Sequence, residues 1–244
     1  MNAARAGNRV GAVSVEIDGD ALVAFTQELV RIPSVFDPDR GLNEEPAAEL
    51  VAAQMRAFGW DPIVEIVEPG RPTVICTIEG DAPGRTLLFE GHTDVVTEGD
   101  RSRWSVDPFG GELRDGKIWG RGSADMKAGV AAMLFATDAV VRSGSFPGTI
   151  KLAALVDEEG MMIGIKDYIK KGHADIVDAC LVPEPEENNL CISMKGAIRA
   201  IVKVQGKMAH GAMPLSGINP NTRLARIILA FEEFEAAEKK RCGR

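Results

Sequence analysis

His92 and Asp94 stand two residues apart at the end of the apolar run Leu87–Asp94, which reads L-L-F-E-G-H-T-D. In a strand, residues i and i+2 point to the same face. An imidazole and a carboxylate can therefore emerge there side by side. That pairing suits a metal-binding ring nitrogen whose opposite nitrogen is held by a carboxylate. It equally suits a strand end with two polar residues before a loop. Two further apolar runs end in acids: Thr149–Val156 before Asp157-Glu158-Glu159-Gly160, and Ala179–Val182 before Pro183-Glu184-Pro185. Asp125 follows the glycine-rich stretch Gly120–Ala124. Each has a plain alternative: a solvated acidic turn for Asp157–Glu159, a helix cap for Asp125, an exposed loop acid for Glu184. No Lys-Ser/Thr follows Gly120–Asp125 in the register of a phosphate-binding loop, so a phosphate cradle is poorly supported.

The elements that must position these residues follow from periodicity. Asp18 or Asp20 can cap a helix carrying Leu22, Val23, Phe25, Leu29 and Val30, and Pro33 ends it. A second helix is predicted from about Glu44 to Phe58, stopped by Gly59. Strands are predicted over Pro62–Val67, Thr73–Ile78 and Thr86–Phe89, then a hairpin across Asp115-Gly116. An apolar helix near Lys127–Arg142, the strand Thr149–Val156, a helix near Gly164–Lys171 and the strand Ala179–Val182 complete an alternation typical of α/β proteins. Beyond Leu190 the pattern changes. Ile192–Gln205 alternates like an antiparallel strand, His210 lies in a loop, and a long helix is predicted from about Asn221 to Lys240. The expected division is a loose tail over 1–17, a catalytic α/β domain over 18–194 and a partial second domain over 195–244. Ligands of open α/β sheets sit at the carboxyl ends of the strands. One rim would then collect His92, Asp125, Glu158, Glu159 and Glu184. Unpaired carboxylates so gathered repel one another, and one or two divalent ions resolve that repulsion. Oxygen and imidazole ligands suit zinc, manganese or cobalt.

Composition narrows the classes. The 244 residues are 45% hydrophobic and 26% charged, with a formal net charge of −8. That balance argues against a nucleic-acid or anionic-membrane partner, which needs a basic face. No apolar run reaches the length of a membrane span, and the N-terminus lacks a secretory core. A cytoplasmic protein is expected. The four cysteines Cys76, Cys180, Cys191 and Cys242 show no C-x-x-C spacing. They read as reduced core thiols, with a Cys180–Cys191 bridge as the alternative.

The motifs G-H-T-D-V-V, W-S-V-D-P-F-G-G-E-L-R-D-G-K-I-W-G-R-G-S-A-D-M-K-A-G, D-E-E-G, P-E-P and K-M-A-H-G together resemble the acetylornithine deacetylase / succinyl-diaminopimelate desuccinylase family. These are dizinc metallopeptidases that also include aminoacylases and carboxypeptidases. The likeness runs from about Asp20 to the chain end. It implies a mixed, mostly parallel sheet flanked by helices, plus an α+β lid and dimerisation domain. It implies that His92 binds one metal and Asp94 orients it. Asp125 would bridge both metals, with a cis peptide after it. Glu158 would be the general base, Glu159 a ligand of the second metal and Glu184 of the first. His210 would reach the active site of a partner subunit in a homodimer. Zinc is the expected cofactor, with cobalt or manganese as substitutes, and the substrate a small N-acyl amino acid or short peptide.

The sequence also departs from the family pattern. A further histidine is needed for the second metal, yet the only histidines are His92, His173 and His210. His173 follows a helix and reads as a surface residue. The lid is short. The chain thus reads as a C-terminally truncated member that binds the second metal weakly, has little activity, and exposes Leu224, Ile228 and Phe231 to self-association. Deacylation of N-acyl amino acids is the leading expectation. Gly217-Ile218-Asn219-Pro220 leans toward desuccinylases. A dipeptidase or carboxypeptidase of the same family, and a non-catalytic metal-binding protein, are the alternatives.

Overall fold

Asp18 opens the first regular element. Its carboxylate accepts the Ala21 N–H at 2.9 Å, satisfying one of the donors that a helix start leaves open. Helix α1 follows over Gly19–Arg31 and stops at Ile32, just before Pro33 disfavours helical backbone. Helix α2 (Glu45–Ala57) buries Ala47, Ala48, Val51, Ala52 and Met55, a stripe at helical spacing. Helices α3 (Ala128–Arg142), α4 (Ile163–Lys170) and α5 (Pro220–Arg241) come later in the chain. The computed structural model describes residues 15–196 and 198–242. The expected tail therefore lies outside the described residues except for residues 15–17.

The backbone divides into two compact units, one ending at Leu190 and one beginning at Cys191. The strands of the first unit are β1 (Ile63–Glu68), β2 (Arg71–Glu79), β3 (Ala82–His92), β4 (Glu112–Arg114), β5 (Lys117–Trp119), β6 (Pro147–Leu155) and β7 (Ala179–Leu181). β4 and β5 pair across Asp115 and Gly116, both with positive φ, as a tight hairpin demands. The other five strands form one sheet in the order β1-β2-β6-β3-β7. β2 is antiparallel to β1 and β6, whereas β3 is parallel to β6 and β7. The sheet is mixed and flanked by helices, as expected.

Alternation splits the core in two. Val74 and Cys76 of β2 and Leu152 and Ala154 of β6 face α1, α2 and α3. Ile75, Leu88, Ala153 and Leu155 face the other way, against Tyr168 of α4. Two expectations need correction. Of the four cysteines only Cys76 is buried; Cys180, Cys191 and Cys242 are exposed. The segment Ile192–Gln205 forms no strand among its described residues. Most of its described apolar positions are open to solvent, Ile192 at 92% and Ile198 at 96%. A strand is stabilised by a hydrogen-bonded neighbour, and among the described residues of this unit the pairing is confined to one bridge, Lys207 with Ile218.

The second unit is otherwise dominated by α5. Asn219 caps it by accepting the Asn221 N–H at 2.9 Å, and Pro220 stands where its missing N–H costs nothing. Leu224, Ile228 and Phe231 are exposed on this helix, as the sequence suggested. No helix among the described residues is long and apolar enough to cross a membrane.

Candidate metal centre

β3 ends on His92, opposite Leu155 of β6. Just past the strand ends, the Thr93 N–H and hydroxyl donate to the Leu155 carbonyl at 2.8 and 3.1 Å. The Ser34 hydroxyl donates to the Thr93 carbonyl at 2.6 Å. These bonds hold the segments after β3 and β6 side by side, so Asp94 meets the Asp157–Glu159 turn. The buried Asp94 accepts the Glu158 N–H at 3.1 Å on one carboxylate oxygen and the Glu159 N–H at 3.0 Å on the other. Burial opposes its charge. The His92 imidazole and those two N–H groups outweigh burial and hold its carboxyl below the usual range.

His92 is 1% exposed. Its Nδ1 lies 3.0 Å from the Asp94 backbone carbonyl and 3.5 Å from the Asp94 carboxylate. The nearer partner is thus the carbonyl, while the carboxylate chiefly anchors the glutamate turn. His92 Nε2 is buried and has no hydrogen-bond partner among the described residues. It faces Asp125 Oδ1 and Glu184 Oε1, each at 3.3 Å, and Glu158 Oε2 at 3.8 Å.

Asp125 and Glu184 reach this point by separate routes. After β5 the chain turns at Gly122, whose backbone is left-handed, into the wide turn Ser123–Lys127. Asp125 and Met126 leave helical backbone there, and the peptide between them is cis. Lys127, buried, donates to the carbonyls of Leu29 at 2.9 Å and Ile32 at 2.6 Å. It thereby closes carbonyls at the end of α1, where a cation is favoured, and ties the start of α3 to α1. Glu184 arrives on the segment after β7. A Cβ on Gly129 would lie 2.2 Å from the Pro183 carbonyl oxygen. Glycine at that point lets the Pro-Glu-Pro segment close on α3.

Donor atoms of His92, Asp125 and Glu184 lie within 4.8 Å of one another. Ligands bound tetrahedrally at ~2.0–2.1 Å stand ~3.3 Å apart, which is the spacing of His92 Nε2 from both carboxylates. One unpartnered imidazole nitrogen and two carboxylate oxygens therefore fit a divalent ion. The electrostatics agree. Burial works to lower the His92 pKa, but Asp94 and Glu184 push it up to about 11. Burial raises Glu158, with Glu184, Asp94 and Asp125 adding to the rise and His92 opposing it. Burial and Asp125 raise Glu159. The cluster carries surplus negative charge that a cation would neutralise.

The remaining sequence candidates separate. Glu159 sits on the same turn as Glu158 but outside the converging trio. His210 is exposed in the second unit, where its Nδ1 accepts the Ala212 N–H at 3.2 Å. His173 lies 3.1 Å from Glu65, away from the trio. Sequence reading missed Glu90, which burial pushes up to about 7. An acid interrupting the apolar run of a central strand was the signal for it. It also missed the buried Arg71, whose only mark is a cation at the head of a run of buried strand residues.

A mixed α/β sheet that gathers imidazole and carboxylate donors at one rim defines an α/β protein with a candidate metal site. The pattern of Peptidase family M20/M25/M40 matches residues 88–235, and the chain belongs to that family. Among its relatives, the succinyl-diaminopimelate desuccinylase of Rhodospirillum centenum is 35% identical over 219 residues, which is 84% of this chain and 55% of that protein. The chain thus spans about half the length of the curated relatives it matches. Sso-CP2, a metallo-carboxypeptidase from Sulfolobus solfataricus, is 25% identical with a TM-score of 0.58, over 66% of this chain and 37% of the other. The aminopeptidase PepT of Bacillus cereus shares the fold, at 24% identity and a TM-score of 0.57, over 87% of this chain and 57% of the other.

Proposed function

We propose that the protein hydrolyses the amide bond of N-acyl amino acids with a divalent metal, zinc in the first instance and cobalt or manganese as substitutes. The observation that carries this reading is the buried, unpartnered His92 Nε2 facing two carboxylates at 3.3 Å. Relatives named succinyl-diaminopimelate desuccinylase, 34–35% identical, support an N-succinyl diamino acid as substrate.

A divalent ion bound there would supply a Lewis acid and a water of lowered pKa. His92, Asp125 and Glu184 would hold it. Asp94 fixes the His92 ring through its carbonyl and the glutamate turn through its carboxylate. Glu158 takes a proton from the attacking water and passes it to the leaving amine nitrogen. A carboxylate raised by burial is better matched to that task than an ordinary one. Glu159 is assigned to a second ion. Residues 195–244 are read as part of a lid and dimerisation domain in a cytoplasmic homodimer. The exposed His210 would serve a partner subunit's site from it.

Likeness to Sso-CP2 favours a second reading, a carboxypeptidase or dipeptidase. A third, metal binding without turnover, is favoured by the scarcity of histidines, three in the sequence. Hydrolysis assays with N-succinyl and N-acetyl amino acids and with dipeptides, in zinc or cobalt, separate them. Succinate release is expected. Cleavage of dipeptides alone selects the second reading, and metal uptake without any cleavage the third.

A further inference from the structure

Asp157, the residue before the proposed base, is the hub of the turn that carries Glu158 and Glu159. Its backbone is left-handed, with φ 64°, a region that aspartate enters more readily than most residues. Its Oδ2 accepts the Met161 N–H at 2.8 Å and the Ile163 N–H at 3.3 Å. Its backbone carbonyl accepts the Met162 N–H at 2.7 Å. A Cβ on Gly160 would lie 2.3 Å from Asp157 Oδ1, so the turn closes tightly round this carboxylate.

The same Oδ1 accepts from Arg71 Nη2 at 2.6 Å. Arg71 begins β2 and is 4% exposed. Its Nε donates to both carboxylate oxygens of Glu44, at 2.9 and 3.1 Å, and Glu44 is fully buried. The Phe36 ring covers the guanidinium, 3.8 Å from its centroid. On the far side, Asp94 holds the N–H groups of Glu158 and Glu159. The two glutamates are thus clamped between two carboxylates, and only one of these, Asp94, touches His92. Buried ion groups are often replaceable by hydrophobic side chains at no loss of stability, so stability alone does not account for this one.

We propose that Arg71 is a positioning residue: through Asp157 it sets the orientation of the Glu158–Glu159 turn toward His92, with Glu44 as the counter-charge that holds its guanidinium. The effect on turnover rests on the reading of Glu158 as base; the ordering of the turn stands on the geometry.

The test is amide hydrogen exchange on the whole chain, wild type against Arg71→Gln, Arg71→Lys and Asp157→Asn. Arg71→Gln strands Glu44 and can fail to fold. Asp157→Asn keeps the Glu44–Arg71 pair and tolerates the left-handed backbone, but has one acceptor oxygen where the native turn uses two. Exchange over residues 157–163 is expected to rise at least ~10-fold in Arg71→Gln and Asp157→Asn, with α2 and β6 unchanged. Arg71→Lys falls between, because a point charge cannot reproduce the fork. With an N-succinyl substrate, Asp157→Asn lowers kcat ~10-fold with KM within about twofold. Unchanged exchange over 157–163 in Asp157→Asn, or a uniform rise across the first unit, overturns the proposal. A wild-type chain that cleaves no substrate refutes the functional reading, while the exchange arm still decides the role of Arg71.

Discussion

His92 carries two different tasks on one ring. Nδ1 is tied to the Asp94 carbonyl, so Nε2 is left aimed at Asp125 and Glu184. Replacing it by glutamine removes the imidazole donor nitrogen without removing the acids. Losing an outer-shell partner of a metal ligand typically costs 10–100-fold in affinity, so His92→Gln is expected to weaken zinc binding by ~100-fold or more in calorimetric titration. Wild-type affinity in this variant would remove His92 from the ligand set. Glu158 faces the same cluster without belonging to the converging trio. Glu158→Ala is therefore expected to keep the metal and lose ~10²–10⁴-fold in kcat. Retained turnover would take the base role away from it.

At the scale of elements, the site depends on where three segments end. β3 and β6 finish in register, and Thr93 bonds across to Leu155. The Pro183–Pro185 segment comes close to α3 at Gly129. Gly129→Ala must push Pro183, and Glu184 with it, away from His92. Weaker metal binding together with a lower melting temperature is expected; unchanged calorimetry would show that the segment relaxes without moving Glu184. The alternation of Ile192–Gln205 failed as a strand signal for a related reason. Period-two patterning describes the faces of a strand once it is paired, and says nothing of whether a partner is at hand. The hairpin at Asp115-Gly116 succeeded because its partner is two residues away.

For the whole molecule, charge links stability to solution conditions. Glu98, nearly buried, is held by Arg40 at 2.8 Å, and this contact pulls its pKa down to about 2 despite burial. The unfolded chain takes up that proton near the ordinary carboxylate value, about 4.3. The contribution is therefore complete above that pH and is lost as pH falls toward 2. Arg40→Met should flatten the acid limb of a stability–pH curve; an unaltered limb would show the pair to be inconsequential. A bound metal would also add stability, by binding the folded state and not the unfolded one. At a hundredfold excess over Kd, saturation contributes about 2.7 kcal/mol, roughly 5–10 °C for a chain of this length. Chelation with EDTA should reverse it. Identical melting with and without zinc would mean that the cluster binds no ion.

By itself the sequence determined most of the local elements in the first unit and named the candidate donors. Asp18 as a cap, Asp115-Gly116 as a turn, and acids at the ends of apolar runs are properties of a few adjacent residues, and short-range sterics and hydrogen bonding decide them. Which ends meet was settled only in three dimensions. β3 lies between β6 and β7, Gly129 admits Pro183, and Arg71 joins Glu44, 27 residues away, to Asp157, 86 residues away. Periodicity carries no record of such partners, because a strand's pattern is the same whichever neighbour it finds. The choice is made when the chain closes and buries both faces of the sheet. At that point a histidine nitrogen is brought to 3.3 Å from each of two carboxylates on distant segments.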